Sequence, residues 1–392
     1  MAVAPEPRNP SLGPYERPTV ERLVEQLSIS RAAAELYLAS EVIDLHVESF
    51  SFTRSFGYDL RKRHGPGPQR ALLVGQADFP RLLEAGVSGA IWSITQNPLR
   101  PPEGRGEVFA SLLGELRALL DQATPQLAFV RNLGEYRAAR ARGAQAAFIG
   151  VQGAAALDPD PRQLSLVAPE LIKVSLLHLF DSAVGRSSTF AAWPDWLLGR
   201  QGLAGRGAEF VEVLNAERVL VDLAHIHPDG FWSAYRLAEP TQPLIVSHTG
   251  VAGVHRHWRN LDDAQLRAVA ERGGTVGIIY HSEFLGDGLF SGRLATVVAH
   301  IRHALSVVGE DHVSLGSDWD GLICTPRDMP TCLELPRLVD ALLGAGVPEL
   351  TIQKVLGENF LRVLGALNRD GQLAGPTVDL RAPVRVAARG SE

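Results

Sequence analysis

The chain has 392 residues and carries 38 basic against 44 acidic side chains, a net charge of -6. With its basic residues scattered rather than blocked, it has no electrostatic footprint for nucleic acid, and no run of about 18 apolar residues marks a membrane span. Two cysteines, Cys324 and Cys332, without CxxC spacing exclude a disulfide framework and predict free thiols in a soluble, cytoplasmic protein.

Residues 1–40 read as an N-terminal extension, Pro-rich to residue 17, followed by one amphipathic helix from Thr19 to Ser40 that presents Leu23, Leu27, Ala33 and Leu36 on one face. The first apolar run, EVIDLHVE, ends on His46 and Glu48 and predicts a strand. An Arg/Gly/Pro-rich loop and the helix-like DFPRLLEAG then lead to a second strand, GAIWSIT. Helical patterns at Val108–Asp121 and Leu133–Arg142 precede a third strand, AAFIGVQG, which closes at Gln152, and a fourth, IKVSLLH, closes at His178. The fifth and sixth, VLVDLAH and PLIVSH, close at His225 and His248 with a helix-length segment between them. After LDDAQLRAVAERGG comes a seventh, TVGIIYH, ending at His281, and after Leu294–Val308 an eighth, HVSLGSD, ending at Asp318.

Eight apolar runs alternating with helical segments predict an α/β fold of the (β/α)8 TIM-barrel type over residues 41–368, with 369–392 as a C-terminal tail. Uninterrupted apolar runs are expected of parallel strands buried on both faces. Five of the twelve histidines, together with Glu48, Gln152 and Asp318, fall at the carboxyl ends of these strands, where a barrel builds its active site. His46, Glu48, His225, His248 and Asp318 supply three nitrogens and two carboxylates, a donor set for one divalent metal or two, and His-x-Glu spacing puts its two side chains on one strand face. Asp318 is placed both to bind metal and to accept a proton from an attacking water. The chain has three lysines, and Lys173 sits at the start of its strand, so a Schiff-base or carbamylated lysine has no evident candidate. No GxSxG elbow or GxGxxG turn follows a strand, which removes serine-hydrolase and dinucleotide readings.

The stretches VIDLHVE, ADFPRLLEAGVSGAIWSI, IGVQGAAAL, GLAGRGAEFVEVLNAERVLVDLAH, PLIVSHTG, WRNLDDAQLRAVAERGGTVGI, DHVSLGSDWDG and LGENFLRVL run in order from about residue 42 to 364, and together they resemble the membrane (renal-type) dipeptidases of peptidase family M19. The resemblance implies a binuclear zinc peptidase on a (β/α)8 barrel, a dipeptide or similar small amide as substrate, and a homodimer. By it His46 and Asp318 bind the first metal and His225 and His248 the second, while His178 and Arg259 match substrate-binding residues. Two departures fall on the metal site: the family's HxD is here His46-x-Glu48, and its bridging glutamate is here Gln152. Three readings follow. The chain is a zinc-dependent dipeptidase-like hydrolase with one or two ions, a mononuclear amidohydrolase acting on a non-peptide substrate, or an impaired barrel that binds a small molecule. Partial takeover of bridging by Glu48 is the expectation if two metals persist.

Overall fold

In a computed structural model of the chain, the described residues are 11–65, 71–97, 100–157, 161, 164–189 and 202–367. The expected tail at 369–392 lies outside them.

Eight parallel strands form a closed barrel: β1 (Ile43–Val47), β2 (Gly89–Thr95), β4 (Gln145–Gln152), β5 (Lys173–Ser175), β6 (Leu220–Asp222), β7 (Leu244–Thr249), β8 (Thr275–Ile278) and β9 (Val313–Leu315). Closure runs through β1, which pairs with both β2 and β9, and through β2, which pairs with β4 from Gly89↔Ala146 to Thr95↔Gln152. One strand was not anticipated: β3 (Leu127–Phe129) lies along the first residues of β4, on the edge that β5 occupies further up. Three residues are too short for a periodicity to show. The eight expected barrel strands are all present.

Between the strands run the helices Arg105–Gln122, Gly205–Ala216, Pro228–Leu237, Asp263–Glu271 and Leu294–Val308, and Pro336–Gly344 and Asn359–Ala366 follow the last strand. The sequence marks their starts locally. Asp262 and Gln265, for example, close a capping box at the head of Asp263–Glu271. The single helix expected over Thr19–Ser40 is instead two, Val20–Leu27 and Arg31–Ala39. Ser28 takes a left-handed conformation with φ 55°, and Ser30 starts the second helix by accepting from the Ala33 N–H. This pair packs on Pro336–Gly344.

Two apolar clusters hold the barrel. The larger one joins outward strand residues such as Trp92, Ile149, Val174 and Val246 to the helices. The smaller gathers Ile91, Phe148, Leu220 and Ile245 with Phe360 and Val363 of Asn359–Ala366. Because strand side chains alternate, the residues two further along, Ser93, Gly150, Asp222 and Ser247, face the same interior one layer higher. The inside of the barrel therefore passes from an apolar floor to a small, polar middle layer, and that layer carries the site.

Candidate metal centre

Above the polar layer, His46, Glu48, Gln152, His225, His248 and Asp318 converge, and all six are buried, none more than 8 % exposed. His46 Nε2 lies 3.1 Å from Glu48 Oε1, 3.1 Å from Gln152 Oε1 and 3.5 Å from Asp318 Oδ1. The Gln152 amide nitrogen turns the other way, 3.0 Å from His225 Nε2, and His225 Nε2 stands 2.9 Å from His248 Nε2. The rings of His46 and His248 stack with centroids 4.0 Å apart. Donor atoms of His46, His248 and Asp318 all fall within 4.8 Å of one another. Glu48 points into this cluster, with Thr95 donating to Oε1 and Ser51 to Oε2.

Local backbone aims two of these groups. His225 and Asp318 sit at φ 63° and 62°, in the left-handed region that residues with a Cβ seldom occupy. Asp318 lies so close to Gly321 that a Cβ there would meet its carboxylate oxygen at 2.2 Å, which makes glycine the residue the turn admits. Asp320 braces the same loop, accepting from the Gln76 and Ala77 N–H groups and from the Ser49 hydroxyl. Asp44 does the same for β1. Its Oδ1 accepts from the backbone N–H of His46 at 2.9 Å and of Ser317 at 3.1 Å, and burial pushes its carboxyl up to about 6.

The electrostatics suit a cation. Burial holds His46, His225 and His248 below the usual histidine range, His225 and His248 well below it, so the imidazoles are neutral, the form that ligates metals. Burial and the neighbouring Glu48 carboxylate push the Asp318 carboxyl well up, and among the described residues its Oδ1 has no hydrogen-bond partner. A buried carboxylate oxygen without a donor is costly, and a divalent ion removes the cost. The residues present therefore fit a metal: neutral nitrogens aimed at one another and a bare carboxylate oxygen beside them.

The two expected substrate residues border the cluster. His178 packs edge-on against His225 at 4.9 Å, and burial lowers it to about 4. Arg259 is buried, donates from Nη2 to the His248 carbonyl at 3.0 Å, and leaves Nε without a partner among the described residues. Burial lowers the guanidinium to about 10, opposed by the Asp318 and Asp222 charges, so it stays charged at neutral pH. Gln152 and His178 also line a cavity of about 170 Å³ that continues to Leu176, Leu177 and Ala183. His281, three residues beyond β8, is 7 % exposed, and its Nδ1 accepts from the Cys324 N–H, so it supports a loop.

Two residues beneath the site went unassigned in the sequence. Asp222 sits inside the barrel and accepts from Ser247 Oγ at 2.6 Å and from the Ser175 hydroxyl. Lys173, at the start of its strand, reaches the cluster through the length of its side chain, with Nζ 2.8 Å from Asp222 Oδ2 and 3.0 Å from His46 Nδ1. The expected free thiols are found: Cys324 and Cys332 are both free and buried. Among the described residues no helix is long and apolar enough to cross a membrane.

Comparison with known proteins gives the family and the fold's relatives. Residues 30–373 match the family description "Membrane dipeptidase (Peptidase family M19)". An uncharacterized Klebsiella pneumoniae protein from the pqqA 5' region is 31% identical over 260 residues, 64% of this chain and 93% of that protein. Among solved structures, a metallopeptidase of family M19 called dipeptidase AC superposes with a TM-score of 0.70 at 26% identity, covering 84% of this chain and 98% of that one. A metallopeptidase from Rhodobacter sphaeroides, liganded with a phosphinate mimic of the dipeptide L-Ala-D-Ala, gives a TM-score of 0.68 at 25% identity, covering 84% and 99%.

Proposed function

The chain belongs to the membrane dipeptidase family, peptidase family M19, and on that premise we propose that it is a metal-dependent hydrolase that cleaves a dipeptide or a similar small amide. The observation that carries this reading is the convergence of His46, His225, His248 and Asp318 above a polar barrel layer, with the unpartnered Nε of Arg259 at its border. Those four side chains would hold zinc or a like cation, with Glu48 and Gln152 beside them. Such a cation, when bound, polarises a carbonyl and lowers the pKa of water towards neutrality.

The chain's own groups do the rest. Asp318, whose carboxyl burial and Glu48 push up, takes the proton from the attacking water and passes it to the leaving amine. Arg259 offers its free Nε–H to the substrate carboxylate. His178, neutral at working pH, hydrogen-bonds the substrate near the scissile bond. The cavity beyond Gln152, walled by Leu176, Leu177 and Ala183, receives a small side chain.

The test is hydrolysis of a dipeptide panel by protein purified without chelators, with metal content read by elemental mass spectrometry. Activity that disappears on chelation, returns with zinc and is lost in Asp318→Asn supports the reading. Activity indifferent to chelation would overturn it. One observation favours a second reading, a barrel that binds a small molecule without turning it over: the Gln152 amide is satisfied on both sides, by His46 and Thr95 at Oε1 and by His225 at Nε2. Metal-loaded protein that binds dipeptides and cleaves none would select it.

A further inference from the structure

The cavity of about 170 Å³ beside the metal centre has a chemistry of its own. Ala156, Leu176 and Leu177 give it apolar walls, and Gln96, the residue that follows β2, stands in the same lining with 9 % of its surface exposed. The Gln96 amide nitrogen donates to the Arg105 carbonyl at 2.8 Å and to the Ala156 carbonyl at 3.3 Å. Those two acceptors fix which way the amide lies, because a flipped amide would set its oxygen against both carbonyls. Oε1 is left over, and among the described residues it has no hydrogen-bond partner. A ligand N–H that reaches it makes a bond and removes the cost of a buried, unmet acceptor.

Three more polar groups belong to the lining. Ser182 Oγ accepts from the Val184 N–H at 3.2 Å, and a hydroxyl that accepts still has its hydrogen to give. Asp181 is exposed, with Oδ1 accepting from the Ser187 N–H at 2.9 Å. Arg105 turns its guanidinium to the Arg100 and Ala155 carbonyls. An amide acceptor, a hydroxyl donor and apolar walls match a short apolar stem that ends in a carboxamide. Its N–H goes to Gln96 Oε1, and its oxygen takes the Ser182 hydroxyl. A carboxylate in the same place would set oxygen against Gln96 Oε1 and charge against Asp181, and a thioether end would leave Oε1 unpaired.

We propose that Gln96 is a specificity-determining residue that selects, at one of the two substrate positions, a side chain of the glutamine type. The proposal rests on the dipeptide-hydrolase reading above for the role of the cavity, and adds to it the chemical class of the side chain received there.

The test uses the full, metal-loaded chain and three side chains of similar size, Gln, Glu and Met, placed at the N-terminal position of one dipeptide series and at the C-terminal position of another. In one series the wild type should favour Gln over both others by roughly 10-fold in kcat/KM. In Gln96→Leu the ratio of Gln to Met should fall to about one, since both ends then meet an apolar wall. Gln96→Leu also releases the Arg105 and Ala156 carbonyls, so Ser182→Ala, in a half-buried turn, carries the test if the first variant does not fold: the same ratio should drop roughly 3-fold. Equal rates for Gln and Met in both series, or a preference for Gln that these variants leave intact, would overturn the proposal. So would a preference for Glu, which would assign the cavity to Arg105. If no dipeptide is cleaved, calorimetry reads the same ratios as Kd. Discrimination in Kd without cleavage upholds the proposal and brings down the hydrolase reading, whereas chelator-sensitive cleavage without discrimination does the reverse, and no binding at all overturns both.

Discussion

Arg259 offers the sharpest test of how the site chooses its substrate. Its guanidinium is 4 % exposed, one arm is committed to the His248 carbonyl, and Nε faces no partner among the described residues. A buried donor left unmade is unfavourable, so a substrate carboxylate arriving there gains a charge-assisted bond and relieves the unpaired group. A hydrogen bond to a charged group contributes about 1.5–3 kcal/mol, which corresponds to a loss of roughly 10- to 150-fold in kcat/KM for Arg259→Met. Removing the arm bonded to the His248 carbonyl also costs stability, so activity alone does not isolate the recognition term. The assay therefore compares a dipeptide with the same dipeptide as its C-terminal amide. Arg259→Met should lose the full factor on the acid and little on the amide, while Arg259→Lys, which keeps charge but not the planar fork, should fall between. Equal losses on both substrates, in step with a lowered Tm, would refute carboxylate recognition and leave Arg259 as a brace for β7.

Two further changes probe the metal and the fold. Gln152→Glu puts a third carboxylate beside Glu48 and Asp318. A pair of unit charges about 4 Å apart at an effective dielectric near 20 is worth about 4 kcal/mol, and desolvation takes back much of it, so metal retention against a chelator should rise roughly 10- to 100-fold. Gained dipeptidase activity in this variant would mark the site as a peptidase centre altered at one ligand, whereas tighter metal without turnover would mark a pocket put to other use. His300 concerns stability. It is buried, accepts the Val251 N–H at Nδ1, faces the Leu285 carbonyl at Nε2, and burial lowers it to about 4. A histidine whose folded pKa lies below its unfolded value of about 6.5 contributes stability that is present above pH 6.5 and lost as pH falls towards 4, up to about 3 kcal/mol for this group. Urea midpoints should fall steadily between pH 6.5 and 4, and His300→Gln should be less stable at pH 7.5 yet decline less on acidification. A parallel decline in both proteins would show that His300 does not carry the effect.

What the sequence disclosed and what it hid divide along physical lines. The strands could be read because parallel strands buried on both faces are continuous apolar runs, and the ligand candidates because a barrel gathers the carboxyl ends of its strands. VLVDLAH and PLIVSH carry both signals at once, and the structure brings His225 and His248 to 2.9 Å. β3 escaped because LAF is three residues long, and the break at Ser28 because a single left-handed residue leaves the helical spacing of Leu23, Leu27 and Ala33 intact. Lys173 was hidden for a different reason. Position along a strand fixes where a Cβ starts, and for short side chains that decides the layer, as Ser93 and Ser175 show. A lysine stem spans a whole layer, and the residue that permits this, Gly150, lies on the neighbouring strand, opposite Lys173 in the register. Asp222 follows from it, since a carboxylate inside the barrel reads as a mere cap until the ammonium it pairs with is found beside it. The polar layer beneath the site is thus set by pairings across β4, β5, β6 and β7, and no single strand's periodicity contains it.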